Sequence, residues 1–578
     1  MLLVTSLITT SLLFVDIRIE QVLPKNTIAV MSVTDVSKLA ENLKAIGACD
    51  AVCDLVQSAM STDEDCPITQ ACTEIKNSFE QDGVGLPNGH AGMGLYPVVD
   101  FEIGAVGLGA LCIVEVGKDS FGEIVQSTID QYAEMMEVDI EIVDISGRDV
   151  WMVQNDFTGI ASQVPIPIEL SSLTHVYFAY TDGYLLFGTE PEAFASVFSA
   201  LDGEPIEESL ATNDDYLKLM ERCGEEGDVQ AAVLLTNLAD TFLQMDTSGM
   251  GMMMLPIAKT AFGDIDGLAE TVTFSSSKDT ILEAKFTMLM RDGRDGLMSL
   301  LAADSPKSEI PSFVGEDTIS YSQTYINYDK VVSLVNEIIA SNLMLSRQLS
   351  PQMVEQLGSG ISMFTDNLGK QTHIVTTGSI PYSADTYGTL MAIECLNEEQ
   401  FSNALGMMLP SLGATPVDFL GNQIFTLDLG SSMMMPIPLD MSFSIAVGGG
   451  YLLVGNSNSV ENALRAIANP KESKSNHGMN AAVDLLSSGN FSGWGYGDPL
   501  KNLEIQTAVN EESNEAFFAE MEEYDPEMAA EMRADAASGN PLQDSIIKSL
   551  SLFLGPMSWN MSTDDKGFTA EVIMLKTQ

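Results

Sequence analysis

T-D-G-Y-L-L-F-G (Thr181–Gly188) and G-G-G-Y-L-L-V-G (Gly448–Gly455) decide the fold, because the same short pattern occurs twice in similar surroundings. Each follows an alternating run, V-Y-F-A-Y (Val176–Tyr180) or F-S-I-A-V (Phe443–Val447). Each leads into a helical pattern, over Pro191 to Leu201 or Val460 to Ile467. Asp182-Gly183 and Gly449-Gly450 are the residue types that two-residue hairpin turns demand. Strand, tight turn, strand and amphipathic helix is therefore the unit written twice.

Working outward, further units recur in order. The segments L-P-K-N-T-I-A-V-M-S-V (Leu23–Val33) and V-G-E-D-T-I-S-Y (Val314–Tyr321) each precede a helix, predicted over Asp35 to Ile46 and Asp329 to Ala340. A strand, a helix and a glycine hairpin follow. In the first half these are C-I-V-E-V, a helix over Phe121 to Met136, and a hairpin around Gly147. In the second they are L-M-A-I-E, a helix over Phe401 to Leu412, and a hairpin around Gly421. Later helices over Asp214 to Glu221 and Met479 to Leu486 match, and each half closes on a long hairpin, the last ending almost at Gln578. Short glycine turns join antiparallel neighbours, so the fold class expected is α+β: two homologous lobes of antiparallel sheets with helices packed on one face. The lobes are expected at 21–305 and 313–578, with a linker carrying Pro306, Ser308 and Pro311.

The opening L-P-x-N-T-I-A-V-x-S-V-x-D with its helix (Leu23–Ile46), together with the Y-L-L-F-G hairpin and helix, resembles an uncharacterised family of bacterial exported proteins seen especially in planctomycetes and cyanobacteria. The resemblance implies exported α+β repeats and carries no catalytic or ligand residue.

The 578 residues hold 82 Asp and Glu against 26 Lys and Arg, a net charge of −56. Lys76 is the sole basic side chain between Lys44 and Lys118, and none occurs between Arg148 and Lys218. Nucleic acid and anionic lipid bind through Lys and Arg, so neither is an expected partner. Hydrophobic residues at 45% place the chain with folded proteins. The apolar run Met1 to Val15 suits a signal-peptide core, although no basic residue precedes it. The alternation Asp16-Ile17-Arg18-Ile19-Glu20 suggests instead an N-terminal strand, so 1–20 reads as a signal or strand segment. No later run is long enough to span a bilayer, and a periplasmic, cell-surface or extracellular location is expected.

Of seven cysteines, Cys49, Cys53, Cys66 and Cys72 crowd into a predicted helical hairpin at about 47–80, read as an insertion in the first lobe. Two disulfides are expected; three pairings are open, of which nested Cys49–Cys72 and Cys53–Cys66 is the simplest. A zinc site is the rival, but C-x2-C spacings and a nearby histidine are missing. Cys112 and Cys395 sit in apolar strand-like runs and read as core thiols, while Cys223 reads as exposed between Arg222 and Gly224.

No G-x-S-x-G elbow, H-E-x-x-H or phosphate loop occurs, and Gly104 to Ala110 has the wrong spacing for nucleotide binding, so no catalytic residue, metal or cofactor is expected. Asp264-Ile-Asp-Gly267 and Asp292-Gly-Arg-Asp-Gly296 lack the ligands of a calcium loop and read as acidic turns. Met250, Met252, Met253 and Met254 before Pro256, and Met433, Met434 and Met435 before Pro436, are candidate apolar recognition loops. Copper(I) ligation and core filling are the competing readings. The function expected is a noncatalytic exported binding or scaffold protein whose partner is a protein, peptide or apolar ligand. A carboxylate-dependent hydrolase and a lipid carrier are the alternatives.

Overall fold

The computed structural model describes residues 17–48, 89–100, 105–116, 140–154, 175–224, 227–246, 249–275, 280–302, 305–306, 309–383, 386–428, 442–470, 476–484, 486, 489–530, 532–534, 551 and 554–576. Among these residues one antiparallel sheet holds twenty strands, and with its helices it makes the chain α+β. The first ten strands are β1 (Ala29–Val33), β2 (Ala91–Asp100), β3 (Ala105–Glu115), β4 (Ile140–Ile145), β5 (Arg148–Gln154), β6 (His175–Thr181), β7 (Tyr184–Gly188), β8 (Val229–Leu234), β9 (Ile265–Phe274) and β10 (Thr280–Met290). The second ten are β11 (Thr318–Tyr325), β12 (Leu368–Gly378), β13 (Tyr387–Cys395), β14 (Thr415–Phe419), β15 (Asn422–Asp428), β16 (Ser442–Gly448), β17 (Tyr451–Gly455), β18 (Gly493–Gly497), β19 (Met557–Asp564) and β20 (Gly567–Leu575).

The first set pairs in the order β4-β5-β6-β7-β3-β2-β1-β8-β9-β10. The second pairs as β14-β15-β16-β17-β13-β12-β11-β18-β19-β20. Adding ten to each number converts one order into the other. The two sets join antiparallel through β10 and β20, where Phe286 and Phe568 lie 5.6 Å apart. The sheet therefore reads the same from either edge.

Local chemistry explains the turns. Asp182 and Gly183 have φ of 52° and 88°, and Gly449 and Gly450 of 63° and 86°. Two successive positive φ values match the twist of the flanking strands, as glycine-bearing turns allow. Tyr184 then opens β7 and Tyr451 opens β17, each paired with the last residue of the preceding strand. Gly188 closes β7 under the carbonyl of Ala110, and Gly455 closes β17 under that of Thr389, approaches that leave no room for a side chain.

The repetition extends to polar detail. Glu115 at the end of β3 accepts from the His90 N–H at 3.1 Å, and Glu394 near the end of β13 accepts from the Lys370 N–H at 3.2 Å. A Cβ at Gly89 would strike the first carboxylate, and one at Gly369 the second. Asn213 caps helix α3 (Asp214–Cys223) and donates to the Lys25 carbonyl before β1, at 2.8 Å. Asn476 accepts from Met479 N–H at the start of helix α10 (His477–Asp484) and donates to the Thr318 carbonyl at the start of β11, also at 2.8 Å.

Other helices fill equal places. Helix α1 (Val36–Ala45) follows β1 as α6 (Val331–Ser341) follows β11, and α2 (Pro191–Leu201) follows β7 as α9 (Ser457–Ala468) follows β17. After β8 come α4 (Leu235–Met245) and α5 (Met250–Phe262), and after β18 comes α11 (Pro499–Tyr524). The connection from β11 to β12 also carries α7 (Pro351–Thr365), and that from β13 to β14 carries α8 (Glu398–Met408). The cysteine-rich segment occupies the β1–β2 connection, so its place in the chain has a helical counterpart in the second half although its cysteines do not. All four of those cysteines lie outside the described residues.

Each half has its own core. Phe194, Val197 and Phe198 of α2 pack with Leu111, Ile113 and Leu186 in the first. Val460, Ala463 and Leu464 of α9 pack with Leu390, Leu453 and Trp494 in the second. Complete burial of such side chains contributes roughly 1.5–3 kcal/mol each. Ile17 and Ile19 belong to the first core and are fully buried, but Ile19–Val22 is a helical turn, where the alternation suggested a strand. The linker is tied down at Ser305–Pro306, which pairs with Asn490–Phe491. Gly109 lies where a Cβ would meet Tyr96 and Val98, so the glycine-rich run serves close packing.

Candidate functional site

The first methionine cluster is helical, which corrects the loop reading. Gly249, with φ of 72°, turns the chain out of the preceding segment, and the Gly251 N–H donates to the Asp246 carboxylate. Gly251 is buried because any side chain there would meet Phe242 of α4. With those anchors set, α5 runs on through Pro256, which has no N–H to give the Met252 carbonyl. Met250, Met252, Met253 and Met254 are 66%, 74%, 62% and 55% exposed. Leu238 and Phe242 on α4 and Phe262 at the end of α5 are exposed as well. Exposed apolar side chains thus gather on α4 and α5 rather than scattering singly. Core filling is thereby excluded for these four methionines.

The helical layer continues into the second half, since α5 packs on α6 and α6 on α7. Between α6 and α7 lies an open groove of about 900 Å³. Val332 and Ile339 line one wall, and Val354 and Met363 the other, with Glu355 and Asp366 among the lining residues. The sequence reading missed this groove. Its signal was the run from Pro351 to Asp366, where groove residues recur every three or four positions and include Gly358, Ser359 and Ser362. A smaller cavity of about 700 Å³ beside it is lined by Tyr325, Tyr328, Asp329, Lys370 and Glu394. There Glu394 is committed to strand backbone, and the Tyr328 hydroxyl sits 2.7 Å from the Thr372 hydroxyl.

A third constellation is buried. His373 on β12 is fully buried, with Nδ1 3.0 Å from the Tyr321 hydroxyl and Nε2 without a hydrogen-bond partner. Phe313, Tyr451 and Tyr321 surround the ring. Trp494 packs on Tyr321 and donates to Gln323 at 2.9 Å. Burial disfavours the imidazolium and pushes the His373 pKa down to about 4, while burial raises that of Tyr321. Tyr321 and Trp494 belong to the core of the second half, and His373 is buried beside them.

Met433, Met434 and Met435 lie outside the described residues. They fall between β15 and β16, whereas Met250 to Met254 fall between β8 and β9, so the clusters occupy different topological places. Cys223 is buried, not exposed: its Sγ lies 3.5 Å from the Lys285 carbonyl and 3.7 Å from the Thr271 hydroxyl. Burial raises its pKa, so the neighbouring Arg222 does not activate it. Cys395 is buried and Cys112 partly so, both as free thiols. Asp266 is buried against Arg291 at 2.7 Å, and Asp264 pairs with Lys259 at 2.9 Å, so that acidic turn is internally neutralised. Among the described residues no group of three or more His, Cys, Asp or Glu side chains could hold a metal ion. Nor is any described helix long and apolar enough to cross a membrane. Comparison of the chain with protein-family models, with curated proteins and with solved structures finds no match.

Proposed function

We propose that this protein is a noncatalytic, exported binding protein of two homologous lobes, residues 21–305 and 313–578, with the helices of each lobe on one face of its sheet. The repeated pairing order and the matched Glu115/Glu394 and Asn213/Asn476 contacts support descent of both lobes from one unit. The acidic composition and the four clustered cysteines favour export with two disulfides.

The observation that carries the binding reading is the exposure of Met250, Met252, Met253 and Met254 on α5. Thioether side chains adapt to varied apolar shapes, so such a helix can accept the apolar side of a peptide or protein segment. An anionic lipid surface is disfavoured by the net charge of −56.

Brief peroxide treatment with peptide mapping tests this reading, using a fluorescent 18-residue Leu/Ser amphipathic peptide as probe. The four methionines should oxidise before the protein unfolds, and peptide binding should fall with them. A Met252→Gln/Met253→Gln variant should show the same loss without oxidation. Protection of these methionines up to unfolding, or binding indifferent to both changes, overturns it.

A further inference from the structure

We infer that the groove between α6 and α7 is a docking site for a cationic amphipathic helix of a partner protein. This rests on the reading of the chain as a binding protein and names a partner chemistry for its helical layer.

The first ground is shape. On α7 the lining residues recur at helical spacing from Pro351 to Asp366, and on α6 they run from Val332 through Asn336 to Ile339 and Ala340. The groove thus follows both helices over most of their length, about 22 Å for the fifteen residues of α7. Ser359 and Gly358 keep the floor low, and a volume of about 900 Å³ takes the side chains along one face of a helix. The walls are apolar at Val332, Ile339, Val354 and Met363.

The second ground is charge. Glu355 and Asp366 are exposed at the groove, and among the described residues no Lys, Arg or His lines it, the exposed Arg347 standing between its lining residues Ser346 and Leu349. Among the described residues neither carboxylate has a salt-bridge partner. An apolar channel with acidic groups inside a chain of net charge −56 selects an occupant that is apolar on one face and basic on its flanks. A second copy of the chain is disfavoured on the same ground, since it would bring like charge to like.

A fluorescent 18-residue Leu/Lys amphipathic peptide, titrated into the full chain, tests the inference. Glu355→Lys/Asp366→Lys should weaken its binding at least tenfold. Ser359→Trp, which fills the groove from an exposed position, should do the same with little change in the salt dependence. Ile142→Gln, an exposed apolar change on β4 outside both surfaces, should leave the Kd within twofold. Circular dichroism confirms that each variant is folded.

Three results would overturn the inference: equal binding of a Ser/Lys peptide that lacks the apolar face, loss of binding with the α5 variant but not the groove variants, or no binding at all. So would self-association of the protein that Ser359→Trp abolishes. Loss confined to the α5 variant leaves the broader binding reading intact, and the Leu/Ser peptide tests that reading separately.

Discussion

Replacing His373 with Gln should turn a pH-sensitive core into an insensitive one. His373 is fully buried, and burial lowers its pKa from 6.5 to about 4. As pH falls below 6.5 the unfolded chain takes up a proton at this position and the folded chain does not. Stability is therefore complete above the unfolded pKa and is lost as pH falls toward the folded one. Linkage over that interval costs about 2.5 kcal/mol by pH 4.5 and almost nothing at pH 7. Gln keeps a partner for the Tyr321 hydroxyl but cannot titrate; its imperfect fit costs about 1 kcal/mol at neutral pH. The wild-type chain should therefore be the more stable at pH 7 and the less stable at pH 4.5. The many carboxylates also titrate in this range, but they do so in both proteins and cancel in the difference. Urea unfolding at fixed ionic strength measures it, followed by tryptophan fluorescence, with Trp494 5.2 Å from the Tyr321 ring. A difference between the two proteins that changes by less than about 0.5 kcal/mol from pH 7 to 4.5 would refute the argument.

Arg222 grips Asp564 across the two halves at 2.7 and 2.9 Å and donates to Thr287 at 3.0 Å; because the pair is partly exposed, Arg222→Ala should cost about 1 kcal/mol, less at high salt. Partial burial pushes the Asp564 pKa up, but hydrogen bonds from Arg222 outweigh it and hold the carboxyl below its ordinary value. The contribution of this pair is thus present above the ordinary carboxylate range and fades as pH falls through the lowered pKa, and carbon-detected titration should show the Asp564 value rising in Arg222→Ala. Gly188→Ala would press a methyl on the Ala110 carbonyl, 3.0 Å away, and on Phe194; it and Gly455→Ala should each destabilise by about 1–3 kcal/mol in thermal melts. Unreduced, denatured protein should expose three reactive thiols, Cys112, Cys223 and Cys395, and reduction should add four; seven before reduction would remove the two disulfides.

The sequence by itself determined the repeated parts. Asp182-Gly183 and Gly449-Gly450 specify tight turns by backbone conformation alone, and alternation in the flanking strands sends Tyr184 and Leu186 inward; both are local rules with few competing solutions. It also determined a strongly acidic chain, because charge is a sum over residues. Only the tertiary structure decided how the strands are ordered: β7 pairs with β3 and β1 with β8, contacts set by hydrophobic faces meeting across long sequence separations. It decided too that Met250 to Met254 stand on an exposed helix, since Pro256 reads locally as a loop signal while Gly251 against Phe242 holds the helix in place. Cys223 was read as exposed from its charged neighbours, yet the inward face of α3 buries it, because burial follows the face of the helix rather than adjacent residues. The α6–α7 groove was hidden for the same reason: its walls come from two helices and the segment between them that carries Ser346 and Leu349, and the space exists only once these are packed.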